Sequence, residues 1–160
     1  MRKLALVNHG CAKNLVDSEL MLGLLAEKGY EITLDENEAN VVIVNTCSFI
    51  HDAEKESVQS ILKLVNEGKK VIVTGCLPQK YKGELKEAIP EVVAMLGTTD
   101  FSKIVEVVEN IDKDNYEFVS DVSVKPKYVY PENVGAAGGT VCYVCSECNC
   151  EPRRSVTAGR

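Results

Sequence analysis

Cys11, Cys47 and Cys76 each stand just past the end of a short apolar run, at residues 4–8, 41–45 and 70–74 respectively. Thiolates are soft ligands, and three gathered in one place make a soft-metal or iron–sulfur site. One buried cysteine is usually no more than a small hydrophobe. Here three follow Asn8-His9-Gly10, Asn45-Thr46 and Thr74-Gly75, which are small or polar turn formers rather than core packers. If the apolar runs are parallel strands, all three loops leave the same edge of a sheet, where open α/β folds place their ligands. His9 lies two residues before Cys11 and His51 four after Cys47, so either could hydrogen-bond a cluster sulfur or relay a proton; the plainer alternative is a solvated loop histidine. Asn14, Asp17, Asn45 and Thr46 read as caps and loop hydrogen-bonders, whose functional use would be to steady the cysteine loops.

Those runs must be positioned by something, and the pattern between them supplies it. Residues 41–44 are four consecutive β-branched side chains, as suits a strand buried on both faces, and residues 71–74 read alike. Residues 30–34 and 92–96 are expected to be two further strands. Asn14 is placed to cap a helix carrying Val16, Leu20, Leu24 and Leu25, which Gly29 would end. Asp52 can cap a second helix with Val58, Ile61, Leu62 and Val65 at helical spacing. Pro78 suits the first turn of a third, carrying Tyr81, Leu85 and Ile89 and stopped by Pro90. Asp100 or Thr99 opens a last one with Phe101, Ile104, Val105 and Val108 on one face. Alternating strands and helices imply βαβ units with right-handed crossovers, hence a three-layer α/β sandwich with a mostly parallel sheet. In the flavodoxin-like strand order 2-1-3-4-5, the strands before the three cysteines are immediate neighbours, and at ~4.8 Å between strands their loops start within ~10 Å of one another.

The chain has 160 residues, 45% apolar and 26% charged, enough for one core of ordinary domain size. No apolar stretch approaches the ~20 residues that span a bilayer and no signal-peptide pattern precedes the first strand, so the expected setting is the cytoplasm, without membrane partners. A net charge of -6 argues against a general phosphate-binding face, and no direct nucleic-acid contact is indicated. Seven cysteines without an export signal favour metal ligands or reactive thiols over disulfides. Past residue 110 the periodicity fades: residues 111–134 mix charges with Pro126 and Pro131, with a weak strand-like stretch at 116–120. Residues 135–139 read as a flexible link and not as a dinucleotide-binding loop. The end packs Cys142, Cys145, Cys148 and Cys150 into nine residues. Three readings compete there: a poorly ordered tail from a truncated or altered frame, an incomplete ferredoxin-like metal run, or a zinc knuckle.

The strings Gly10-Cys11-Ala12-Lys13-Asn14-Leu15-Val16-Asp17-Ser18-Glu19, Val44-Asn45-Thr46-Cys47-Ser48-Phe49-Ile50 and Val73-Thr74-Gly75-Cys76 resemble the amino-terminal domain of the radical S-adenosylmethionine methylthiotransferases. Residues 13–19 and 48–50 look closer to the RimO-like branch, which acts on an aspartate of a small-subunit ribosomal protein, than to the tRNA-modifying branch. The resemblance implies an auxiliary 4Fe-4S cluster on Cys11, Cys47 and Cys76, with one iron left open for an external sulfur species. It also implies a sulfur donor and a ribosomal protein substrate as partners. S-adenosylmethionine would bind in a following barrel domain through a C-x3-C-x2-C motif, and no such motif occurs in these 160 residues. The expectation is therefore a cluster domain over residues 1–110 and a linker with a Cys-rich tail over 111–160. No catalytic residue is assigned, and the isolated chain should not complete the family's reaction. Two rivals are a flavodoxin-like binding module without a cluster and an electron carrier whose tail cysteines hold the only cluster.

Overall fold

The computed structural model describes residues 2–112 and 116–120; the four tail cysteines lie outside them. Six strands, β1 (Lys3–Asn8), β2 (Glu31–Ile32), β3 (Val41–Thr46), β4 (Lys70–Gly75), β5 (Ala94–Leu96) and β6 (Tyr116–Phe118), form one sheet in the order β2-β1-β3-β4-β5-β6. Every neighbouring pair is parallel. The expected 2-1-3-4-5 order is therefore present, extended at its edge by the strand-like stretch after residue 110.

The helices are α1 (Ala12–Glu27), α2 (His51–Asn66), α3 (Cys76–Tyr81), α4 (Gly83–Ala88) and α5 (Ile104–Glu109), the last preceded by a 3-10 turn at Phe101–Lys103. Successive strand residues point to opposite faces, and the burial follows that alternation. Leu4, Val41, Ile43, Ile72, Ala94 and Leu96 pack with Leu20, Met21 and Leu25 of α1 and Ile104, Val107 and Val108 of α5. Ala5, Val42, Val44, Val71, Val73 and Met95 pack with Ile61 and Leu64 of α2, Leu77 of α3 and Leu85 of α4. Two cores share one sheet, which makes the flavodoxin-like three-layer sandwich. The β-branched run of β3 is buried throughout because both faces are covered.

Four local expectations change. The helix begins at Ala12 with Cys11 in the N-cap position, so Asn14 sits inside the first turn, and its amide bonds to neighbouring loops rather than capping. The helix from His51 starts after Ile50 with no side-chain cap; Asp52 and Glu54 instead place their charge in the first turn, against the positive end of the helix dipole. The single helix expected through Tyr81, Leu85 and Ile89 breaks at Lys82, whose φ of 43° is left-handed. Gly83 weakens the helix there, and the break lets Leu77 and Leu85 reach the same core. Asp100 does stand before the 3-10 turn, but its carboxylate accepts from the Ser120 N–H at 2.7 Å and the Ser120 hydroxyl at 2.6 Å, tying down the far end of β6.

Candidate metal centre at the strand ends

The strands β1, β3 and β4 run in register, with Asn8 opposite Asn45, Asn45 opposite Thr74, and Thr46 opposite Gly75. Each cysteine lies within three residues of its strand end. Cys47 follows β3 and is buried, Cys76 opens α3 and is half-buried, and Cys11 is exposed at the start of α1. All are free thiols. Two glycines let the loops close up. Gly10 has φ +110°, and a Cβ there would lie 2.7 Å from Cys47 Cβ and 3.1 Å from its Sγ. Gly75 has φ +97°, and a Cβ would meet Asn45 Oδ1 and Thr46 O at 2.5 Å. Both conformations favour glycine, and both contacts exclude a side chain.

The thiols feel their surroundings differently. Backbone N–H groups at the start of α1, that of Asn14 foremost, hold the Cys11 thiol below its ordinary pKa, with Lys13 assisting. Burial pushes the Cys76 thiol up; Cys47 and Cys11 add to the rise, while the Ser48 amide donating to Cys76 opposes it. Charge on one cysteine is thus registered by another from a different strand.

Under the thiols runs a buried polar network that joins the three loops. Asn45 Nδ2 donates to Asn14 O and to Ser18 Oγ, both at 2.8 Å, and Ser18 Oγ donates to Asn8 Oδ1 at 3.0 Å. Asn14 Nδ2 donates to His9 O at 3.0 Å and Thr46 O at 2.9 Å. Thr46 Oγ1 donates to Thr74 O at 2.7 Å and accepts from the Leu77 N–H at 3.1 Å. The Cys47 N–H donates to Ser57 Oγ at 3.2 Å, and that hydroxyl donates to Ala53 O at 2.8 Å. Asn14, Asn45 and Thr46 thus do support the loops that carry the cysteines. Ser18 and Ser57 were missed. Their signal was present: Ser57, Ile61 and Leu64 share one buried helical stripe, as do Asn14, Ser18, Met21 and Leu25, so a polar residue stood where an apolar one is the rule.

The histidines part company with the thiols. His9 Nε2 lies 2.8 Å from Ser60 Oγ on α2, and burial lowers its pKa against the pull of Glu56 and Glu36. His51 is exposed at the start of α2. Asp17 is buried, with Oδ2 2.7 Å from Lys13 Nζ.

Among the described residues, no three His, Cys, Asp or Glu side chains are grouped so as to hold a single metal ion. One ion requires every sulfur at ~2.3 Å from a common centre. A cluster that takes each thiolate on a different iron spreads its ligands over a wider cradle. The all-thiol donor set and the amides aimed at sulfur fit such a group.

The model described as "Uncharacterized protein family UPF0004" matches residues 3–97, and the chain belongs to that family. It is similar to ribosomal protein uS12 methylthiotransferase RimO of Prochlorococcus marinus (strain MIT 9215), 47% identical over 134 residues covering 84% of this chain and 29% of that protein. RimO of Synechococcus sp. (strain CC9311) is 50% identical over 130 residues, 81% of this chain and 27% of the relative. RimO of Trichlorobacter lovleyi (strain ATCC BAA-1151 / DSM 17278 / SZ) is 42% identical over 162 residues, 92% and 35%. The RimO-like resemblance is borne out, and the chain spans about a third or less of the length of these curated relatives. No helix among the described residues is long and apolar enough to cross a membrane.

Proposed function

We propose that this chain supplies the auxiliary iron–sulfur domain of a RimO-like methylthiotransferase, with its core in residues 1–110 and β6 as its edge. The observation that supports the proposal is that Cys11, Cys47 and Cys76 follow the ends of three neighbouring parallel strands, all as free thiols. The three thiolates would hold three irons of a 4Fe-4S group, and the group, when bound, supplies an open iron at which a sulfur ligand can attach. The chain's own part is to orient. Amides of Asn14 and Ser48 stabilise thiolate at Cys11 and Cys76, and the Asn14–Asn45–Ser18 network fixes the loops that carry Cys11 and Cys47. S-adenosylmethionine and a radical-forming barrel belong to this reading as partners, along with a sulfur donor, uS12 as the protein acted on, and a cytoplasmic setting.

Anaerobic reconstitution tests it. The wild-type chain is expected to retain about four iron and four sulfide per molecule. Cys11→Ala, Cys47→Ala and Cys76→Ala should each lose most of both while keeping the wild-type far-ultraviolet circular dichroism. A wild-type chain without iron would leave a binding module at this edge. Iron lost only when Cys142, Cys145, Cys148 and Cys150 are replaced would move the cluster to the tail.

A further inference from the structure

The helix α3 begins with Cys76 and runs for only six residues, between Gly75 with φ +97° and the break at Lys82. A helix of that length does not hold itself, so its place at the strand ends depends on what fastens it. On the β3 side, buried Leu77 donates its N–H to Thr46 Oγ1. On the β5 side the fastening is the half-buried side-chain amide of Gln79. Its Oε1 accepts from the Thr98 N–H at 3.2 Å and the Thr98 hydroxyl at 3.4 Å, and its Nε2 donates to Ser120 O at 2.9 Å. Thr98 and Ser120 lie just past the ends of β5 and β6, level with the cysteine edge, because Thr74 stands opposite Leu96 and Leu96 opposite Phe118. Ser120 is itself held, its N–H and hydroxyl both donating to the Asp100 carboxylate. The seat of the amide is tight: a Cβ on Gly97 would stand 2.4 Å from Gln79 Oε1. Residues three apart on a helix share a face, so Gln79 is fastened on the side of α3 that also carries Cys76.

Resting on the reading of Cys76 as a cluster ligand, we propose that Gln79 is the positioning residue for Cys76: by clasping Thr98 and Ser120 it anchors α3 to the ends of β5 and β6, and so sets where the Cys76 sulfur stands in the three-cysteine site. Thr46 and Gln79 then hold the short helix at two points. One ligand of a set drawn from β1, β3 and β4 is placed by two strands that contribute no ligand.

The test alkylates the metal-free full chain with iodoacetamide at a single pH, read peptide by peptide by mass spectrometry, and follows iron release from the reconstituted full chain to a chelator. Gln79→Leu keeps the bulk of the side chain and removes its hydrogen bonds. Gly97→Ala leaves α3 untouched and pushes the Gln79 amide out of its seat. Each should raise Cys76 alkylation and iron release about tenfold, the scale of losing hydrogen bonds to a half-buried amide, with Cys11 alkylation within about twofold of wild type. Ser120→Ala removes only the hydroxyl bond to Asp100 and should leave Cys76 at its wild-type rate. A rise shared equally by Cys11 and Cys76, or one as large in Ser120→Ala as in Gln79→Leu, is general loosening and overturns the role of Gln79. Unchanged Cys76 alkylation in a chain that holds its iron overturns that role and leaves the cluster reading standing. A wild type that holds no iron overturns the cluster reading, while Cys76 alkylation still decides whether Gln79 places that thiol. Should Gln79→Leu fail to fold, Gly97→Ala decides alone.

Discussion

Cys11 and Cys76 begin with the same chemistry but have their thiol pKa values displaced in opposite directions, because one takes its environment from a helix start and the other from burial behind a strand end. Thiolate is the nucleophile, so a thiol with a lowered pKa reacts at lower pH. In the metal-free protein, iodoacetamide should modify Cys11 first, with a pH midpoint below that of an ordinary cysteine, since the Asn14 amide and exposure favour its anion. Cys76 should lag, with its midpoint above the ordinary value, since burial and the neighbouring Cys47 oppose its anion. Peptide-resolved mass spectrometry across a pH series reads both, and equal rates would show that the loops do not hold the arrangement described. The cysteines themselves were legible in the sequence because strand ends can be located by where β-branched runs stop. The network beneath them was only half legible. Asn14, Asn45 and Thr46 could be singled out as loop residues, but which partner each would meet depends on how α1 packs beside β3, between residues 27 to 32 apart.

At the scale of elements, apolar runs marked the first five strands and the sheet order was the simplest one that lets the cysteine loops cooperate, while the local expectations failed where a local bond was outbid by a distant one. Asp100 illustrates this: a cap position is a local inference, yet its carboxylate is taken up by Ser120. The same long-range tie makes β6 more than a fringe. Gly97 N–H donates to Phe118 O at 2.7 Å, Gln79 Nε2 donates to Ser120 O at 2.9 Å, and Phe118 packs on the core beside α5. A chain ending at Ser120 should therefore keep wild-type stability in urea. One ending at Asn110 should lose about 2–4 kcal/mol, the scale of removing one large aromatic from a core together with its hydrogen bonds. Equal midpoints for the two would show that the sheet is complete without its sixth strand. Composition could not have ranked these two endpoints, because residues 116–118 are too short a run to carry a period.

For the whole molecule, what matters is that the proposed ligand set touches only three adjacent strands of six. Two cores share the sheet, so unfolding should be one cooperative transition, and a group that binds the folded chain alone must raise its midpoint. Because no preformed set of ligands exists in the unfolded chain, the binding free energy appears as folding free energy. Anaerobic loading with iron and sulfide is thus expected to raise the melting temperature of the full chain by several degrees, and Cys76→Ala should abolish the rise. Hydrogen exchange should then locate it. Protection is expected to increase over residues 9–14, 46–50 and 75–79, where amides face the thiols or belong to their loops, with β2 and β6 unchanged as internal references. A gain spread evenly over all six strands would mean general stabilisation by salt or reductant. A gain confined to residues 141–150 would assign the iron to the tail cysteines instead.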